Sequence, residues 1–266
     1  MKVTKDNIGV FSWFGYIMPL EERLSIIKNS GFNAVAIWWE DEEGDVIIKK
    51  EEIPRLVKKA GLFIENIHAP FCDINSLWSE NENLRREIVE KHIQWLKDCK
   101  EFNIPVMVMH ISEDFKVKEP NNIGLESMRE IVNAAEECGV KVAIENTDNN
   151  ALISYILENL NSKSLGLCFD TSHNEISHNN EINLLKNYGD RLFATHISDN
   201  DGLKDRHWVP FDGTINWEEF TKDFPKDYKG CFSLEICART KDKTLSPEDY
   251  MTKAYKRIGN LKNLFD

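Results

Sequence analysis

Short apolar runs recur along this chain, and most of them end on a charged or imidazole side chain. The runs LFIENIH, VMVMH, VKVAIE, LGLCFD, LFATHI and CFSLEI carry His68, His110, Glu145, Asp170, His196 and Glu235 at or just past their ends. A continuous apolar run of that length reads as a strand buried on both faces. A charge on its last residue is costly where the core ends, so six in series indicate one polar site built where many strands finish together. Eight strands are predicted, over residues 8–13, 34–39, 62–68, 105–110, 140–145, 164–169, 192–197 and 231–236. Helical patterns alternate with them over 20–30, 50–60, 83–102, 123–138, 152–160, 180–188, 217–224 and 247–261. Gly31, Gly61 and Gly139 stand just past helical patterns and mark returns to the sheet.

Eight alternating βα units close most simply into a (β/α)8 barrel of parallel strands, with its site at the C-terminal face. An open doubly wound sheet usually carries a glycine-rich turn after its first strand, and Ser12-Trp13-Phe14-Gly15 is not GxGxxG. The length of 266 residues suits one such domain spanning 1–266, and no linker or low-complexity segment interrupts it. Lys2 and Lys5 precede the apolar stretch 8–20, but Asp6 intervenes, Pro19, Glu21 and Glu22 follow, and there is no small-residue cleavage site. The stretch is therefore expected to be the first strand, and no run is long enough to span a membrane.

Composition is ordinary for a globular protein, at 41% hydrophobic and 29% charged residues. The net charge of −12 disfavours nonspecific binding to nucleic acid or to an anionic membrane. Cys72, Cys99, Cys138, Cys168, Cys231 and Cys237 form no CxxC pair, so free thiols in a reducing cytoplasm are expected. A homo-oligomer is left open. The acidic run 40–45 reads as a solvated loop rather than a cation site. His92 and His178, in a helix of alternating charge and a polar stretch, read as surface residues.

The candidate chemistry follows from the strand ends. In a barrel, Glu145, Asp170, His196 and Glu235 would meet at the mouth from strands five to eight. Three carboxylates and an imidazole suit Mn2+, Mg2+, Co2+ or Zn2+. Without a cation the carboxylates would repel, and some would take up protons. His173, three residues past Asp170, and the pair Asp205 and His207 form a further tier of metal or substrate ligands. His68 and His110 are either further ligands or satisfied core histidines. Trp13, Trp38, Trp39, Phe71 and Trp208 are placed to pack the barrel top or to stack on the C–H face of a ligand, and Glu40 to bond a ligand hydroxyl. Arg239 and Lys204 are the nearest cations for a phosphate.

These fragments together carry a resemblance. His68-Ala69-Pro70, Val108-Met109-His110, Glu145-Asn146, Asp170-Thr171-Ser172-His173, Thr195-His196-Ile197-Ser198-Asp199, Asp205-Arg206-His207 and Ser233-Leu234-Glu235 stand in the order found in the xylose isomerase-like TIM barrels. That superfamily, which the chain resembles over nearly its whole length, holds sugar isomerases, epimerases, related dehydratases and endonuclease IV enzymes. The resemblance implies that Glu145, Asp170, His196 and Glu235 hold the metal, with Glu145 and Glu235 also exchanging a proton through an enediolate. It implies substrate binding by His173, and by Arg206 as the nearest match to an arginine after strand seven. The substrate is then a small sugar, sugar acid or polyol ketone, with a dehydratase as a close relative. The same resemblance admits an endonuclease IV-like apurinic-site phosphodiesterase, because His68, His110, Glu145, Asp170, His173, His196, Asp205, His207 and Glu235 match its nine ligands for three zinc ions. Against that reading, residues 12–16 lack the endonuclease's glycine-rich start, and residues 208–217 look more like the sugar enzymes.

Overall fold

The computed structural model describes residues 8–44, 46–176 and 182–265. Eight parallel strands form one sheet: β1 (Ile8–Phe11), β2 (Ala34–Trp38), β3 (Phe63–His68), β4 (Val106–Met109), β5 (Lys141–Glu145), β6 (Leu165–Asp170), β7 (Leu192–His196) and β8 (Phe232–Leu234). The spatial order is β7-β6-β5-β4-β3-β2-β1-β8. The ends meet through a parallel bridge, Ile197 to Leu234, and a side chain reinforces it: Ser233 N donates to Thr195 Oγ1 at 3.0 Å. The result is a nearly closed (β/α)8 barrel, as the alternation of patterns predicts.

The helices are α1 (Leu20–Ser30), α2 (Ile53–Lys59), α3 (Glu82–Phe102), α4 (Asn122–Cys138), α5 (Asn150–Asn159), α6 (Thr171–Ile176), α7 (Leu184–Tyr188), α8 (Trp217–Asp223) and α9 (Pro247–Lys262). Asparagine starts many of them. Asn81, Asn121, Asn149, Asn183 and Asn216 each accept a bond from a first-turn amide, satisfying donors that the helix itself cannot. Gly31 and Gly139 end α1 and α4 in the left-handed conformation.

Several sequence expectations are corrected. The helix expected over 50–60 is a 3-10 turn (Lys50–Glu52) leading into α2. The helix expected over 180–188 is observed from Leu184, with 180–181 outside the described residues. The 3-10 segment Ile74–Trp78 and the short α6 were not anticipated. His92 is not a surface residue but 1% exposed, because its Nδ1 donates to the Ile88 carbonyl at 2.8 Å and its ring packs on Trp95. His178, Lys2, Lys5, Asp6 and Asp45 lie outside the described residues. The acidic run is more tied down than a solvated loop: Arg23, itself buried, pairs with Glu42 at 2.7 Å, and Lys49 with Asp41 at 2.6 Å. All six cysteines are free. No helix among the described residues is long and apolar enough to cross a membrane.

The core has two parts. A large shell fills the space between sheet and helices, and a small cluster of Val106, Val108, Ala143, Cys168 and Ala194 fills the barrel interior. Small inward residues leave room above them for longer polar side chains, and those point to the mouth where the C-terminal strand ends lie.

Candidate metal centre

Glu145, the last residue of β5, is the hub, with essentially no exposure. Its Oε2 faces His68 Nε2 from β3 at 3.1 Å and His110 Nε2, just past β4, at 3.3 Å. Its Oε1 faces His196 Nδ1, the end of β7, at 3.0 Å and His173 Nδ1 on α6 at 3.3 Å. Glu235, just past β8, brings Oε2 within 2.8 Å of the same His196 Nδ1. Asp170 ends β6. Its Oδ1 accepts the His173 amide at 2.6 Å, while its Oδ2 is buried with no hydrogen-bond partner. Glu145, Asp170, His196 and Glu235 offer ligand atoms all within 4.8 Å of one another.

A second group lies beside the first. His173 Nε2 and His207 Nε2 approach Asp205 Oδ2 at 3.3 and 2.7 Å, and these three also have ligand atoms within 4.8 Å of one another. Ser172 Oγ donates to Asp205 Oδ1 at 2.8 Å and fixes its rotamer.

Neighbouring groups orient the imidazoles. His68 Nδ1 donates to the Ala69 carbonyl at 3.0 Å, His207 Nδ1 to the Glu235 carbonyl at 3.2 Å, and His110 Nδ1 to Glu113 Oε1. With Nδ1 protonated, each neutral ring presents an Nε2 lone pair to a carboxylate oxygen. Two lone pairs do not attract, so a cation, either a proton or a metal ion, belongs between them. A histidine whose far nitrogen is anchored is the usual dress of a metal ligand. The unpartnered Asp170 Oδ2 adds to this, and the residues present fit a divalent ion.

The electrostatics agree. Burial raises the Glu145 carboxyl, but the charges of His196 and His110 and bonds from His110 and His173 outweigh it and hold the group well below its usual range. Burial lowers His110, while Glu145 and Glu113 drive it up to about 9. His207 likewise rises to about 9 against burial, through Glu235 and Asp205. Asp170 moves the other way, raised to about 7 by burial and by the neighbouring Glu145, Glu235 and Asp205. Protons thus hold together a set of carboxylates that metal would otherwise bridge.

The cluster forms the floor of a cavity of about 850 Å3. Its walls include Phe11, Trp13, Trp38, Phe71, Phe115, Ile176 and Leu203. Trp38 stacks on His68 at 5.3 Å between centroids, and Phe71 on His110 at 4.4 Å. Glu40 is not among the lining residues; it accepts the Trp38 indole N–H at 2.6 Å. Arg206 also lies outside the lining set and pairs with Asp201 at 2.9 Å. Trp39 points away and donates to Asp98, and Trp208 packs under Arg239 at 4.4 Å. Arg239 is held by Asp212 and Asp242 rather than open to solvent. Sequence reasoning missed Glu113, Thr147, Asp148 and Phe115 on the wall. Glu113 had a signal, since it stands three residues past a strand-end histidine.

Comparisons place the chain among known proteins. The uncharacterized protein MJ1311 of Methanocaldococcus jannaschii is 30% identical over 213 residues, covering 74% of this chain and 71% of that protein. A probable endonuclease 4 of Mycoplasma mycoides is 26% identical over 218 residues, 71% of this chain and 74% of the other. Among solved structures, a D-tagatose 3-epimerase-like protein superposes with a TM-score of 0.72 at 25% identity, covering 96% and 98% of the two chains. The family described as xylose isomerase-like TIM barrel matches residues 24–259, and this chain belongs to it.

Proposed function

We propose that this chain is a single-domain, divalent-metal-dependent sugar isomerase or epimerase that moves a proton next to a carbonyl. One observation carries the reading: Glu145 and Glu235 come from separate strands, approach one imidazole nitrogen at 3.0 and 2.8 Å, and both line the same cavity. Glu145, Asp170, His196 and Glu235 would hold the ion. A bound divalent ion would polarise the carbonyl and acidify the adjacent C–H.

The protein's own residues do the rest. One glutamate removes the proton and the other returns it, which inverts or relocates the centre. His173 and His207 stand beside the pair and orient substrate hydroxyls. Trp13, Trp38 and Phe71 cover the apolar face of the sugar and exclude water. The likeness to a D-tagatose 3-epimerase-like protein supports this assignment.

The test is solvent deuterium entering a panel of ketoses, with metal content measured on the same samples. Glu145→Gln and Glu235→Gln are each expected to lose about 10²–10⁴-fold in exchange rate. Wild-type exchange in both variants would falsify the roles given to the glutamates.

A second reading is phosphodiester cleavage at abasic sites. The grouping of His68 and His110 on Glu145, and of His173 with Asp205 and His207, favours it, as does the likeness to a probable endonuclease 4. It predicts about three zinc ions per chain, held at His68, Glu145 and His196, at His173, Asp205 and His207, and at Glu145, Asp170, His196 and Glu235. It also predicts nicking of abasic duplex DNA, and fully loaded protein that leaves such DNA intact removes it.

A further inference from the structure

We propose that the substrate is a keto sugar extended by an apolar aryl or alkyl group, and that Phe115, Ile176 and Leu203 form the subsite for that group; this rests on the isomerase reading above. The cavity measures about 850 Å3. Sites for drug-sized ligands run from roughly 300 to 1,000 Å3, and a lone six-carbon sugar is smaller than such a ligand. Space therefore remains once a sugar sits on the floor.

Depth divides the lining. Glu145 at the floor is fully buried, and Trp38 and Phe71, stacked on the floor histidines, are half-buried. Phe115 is 38% and Leu203 77% exposed, so they stand at the outer edge of the same cavity, which Ile176 at the end of α6 also lines. Large apolar side chains left open on a cavity wall mark a surface that a ligand covers.

The polar groups of that wall are already bonded within the protein. Glu113 accepts from His110 Nδ1, and Asp114 pairs with Lys116 at 3.1 Å. Asp148 Oδ1 accepts Ser112 Oγ at 2.8 Å, its Oδ2 accepts the Phe115 amide, and Thr147 Oγ1 donates to the Ser112 carbonyl at 3.1 Å. What faces a ligand there is hydrocarbon, which suits a group without hydroxyls to satisfy.

Backbone geometry points the same way. Asp114 and Phe115 are consecutive left-handed residues, at φ 57° and 52°, a conformation that a bulky side chain adopts only under constraint. Neighbouring loops supply the constraint. Besides the Asp148 carboxylate on the Phe115 amide, Asn149 Nδ2 donates to the Val117 and Lys118 carbonyls, both at 3.1 Å. Asn75 Oδ1 accepts the Glu113 amide at 2.9 Å, and its Nδ2 donates to the Glu113 carbonyl at 3.2 Å. A strained turn is thus clamped so that an aromatic ring lines the cavity, and strain kept against stability is a mark of a functional position.

The experiment compares D-fructose, its 1-O-benzyl and 6-O-benzyl ethers, and isomaltulose, whose second ring is a polar sugar. Mn2+-loaded full-length protein is used throughout. Solvent deuterium exchange reports turnover, and quenching of tryptophan fluorescence reports binding. One of the benzyl ethers is expected to surpass D-fructose roughly ten- to a hundredfold in both affinity and kcat/KM, and to surpass isomaltulose. Phe115→Gly, which removes the ring and relieves the backbone, and Leu203→Ser are each expected to cut that advantage by about threefold or more. Benzyl ethers no better than D-fructose, isomaltulose better than both ethers, or an advantage untouched in both variants overturns the inference and leaves the isomerase reading standing. Exchange from none of the compounds, with tight binding of a benzyl ether that is lost in Phe115→Gly, overturns the isomerase reading and leaves the subsite standing. Neither exchange nor binding overturns both.

Discussion

Each imidazole at the mouth faces a carboxylate, and that pairing sets how the site responds to pH. In the metal-free protein His110 and His207 are raised to about 9 by the carboxylates around them, against the opposing pull of burial. Their folded values lie above the unfolded ones, so the stabilisation they give is complete below about 6.5 and is lost as pH rises through about 9. A divalent ion held by Glu145 and Glu235, two of the carboxylates that raise these rings, would displace those protons. Divalent-ion affinity is therefore expected to tighten between pH 6.5 and 8.5, by up to roughly tenfold per unit for each proton displaced. Calorimetry in buffers of differing ionisation enthalpy should show more than one proton released at pH 7.5. An affinity flat across that range would mean the rings are already neutral, and the cation argument would fail. Asp170 shows the other side of the balance: raised to about 7, it too must lose a proton to bind metal.

Secondary elements carry these side chains to one place, and most of them were legible in the sequence. A ligand at the end of an apolar run is conspicuous because it is costly, so Glu145, Asp170 and His196 stood out as strand termini. What was not legible depends on packing. The α6 segment Thr171–Ile176 is polar and short, with no apolar stripe to announce it. His92 looked solvated because its helix alternates in charge, and only the bond to Ile88 lets it lie inside. The 3-10 segment Ile74–Trp78 matters more, since it buttresses the strand that delivers His110. Trp78 Nε1 donates to the Ile111 carbonyl at 2.6 Å, and Ser127 Oγ on α4 donates to the Leu77 carbonyl at 2.8 Å. Gly124 in the first turn of α4 lies against the Trp78 ring, where an added Cβ would come within 2.0 Å of Cε3. Replacing glycine by alanine in a helix normally gains about 1 kcal/mol. Here an overpacking cost of about 1–3 kcal/mol or more opposes it, because the indole bond prevents retreat. Gly124→Ala is expected to lower the urea midpoint at unchanged m-value. A raised midpoint would show that the ring can give way, and that the segment is not a rigid support for His110.

At the scale of the whole barrel, the strand ends meet only because the interior tolerates a column of polar groups beneath the mouth. Pairing between β2 and β3 slips between Val35 and Ala36, which face Ile64 and Asn66, so Glu65 is the extra residue of a bulge. That departure from strict alternation hid it from a reading based on period. It turns Glu65 inward, 7% exposed, where Ser233 Oγ of β8 donates to its Oε1. Gly9 on β1 makes room, since a Cβ there would stand 2.0 Å from that oxygen. One carboxyl thus ties β3 across the interior to β8, the strand that supplies Glu235. Burial raises it to about 7, although bonds from Ser233 and Cys231 and the charge of His196 oppose the rise. Its folded value exceeds the unfolded value near 4.5, so its contribution to stability is complete below about 4.5 and is lost as pH rises through about 7. At pH 8 the ionised side chain costs up to roughly 3 kcal/mol relative to a neutral one of the same shape. Glu65→Gln keeps the shape and the capacity to bond Ser233 while removing the charge. In metal-free protein its unfolding free energy from urea titration is expected to be close to wild type at pH 5 and to exceed it at pH 8, by about 1–3 kcal/mol. Equal destabilisation at both values would mean that Glu65 is held as a carboxylate by the polar column above it, and that the barrel closes on a charge rather than on a protonated acid.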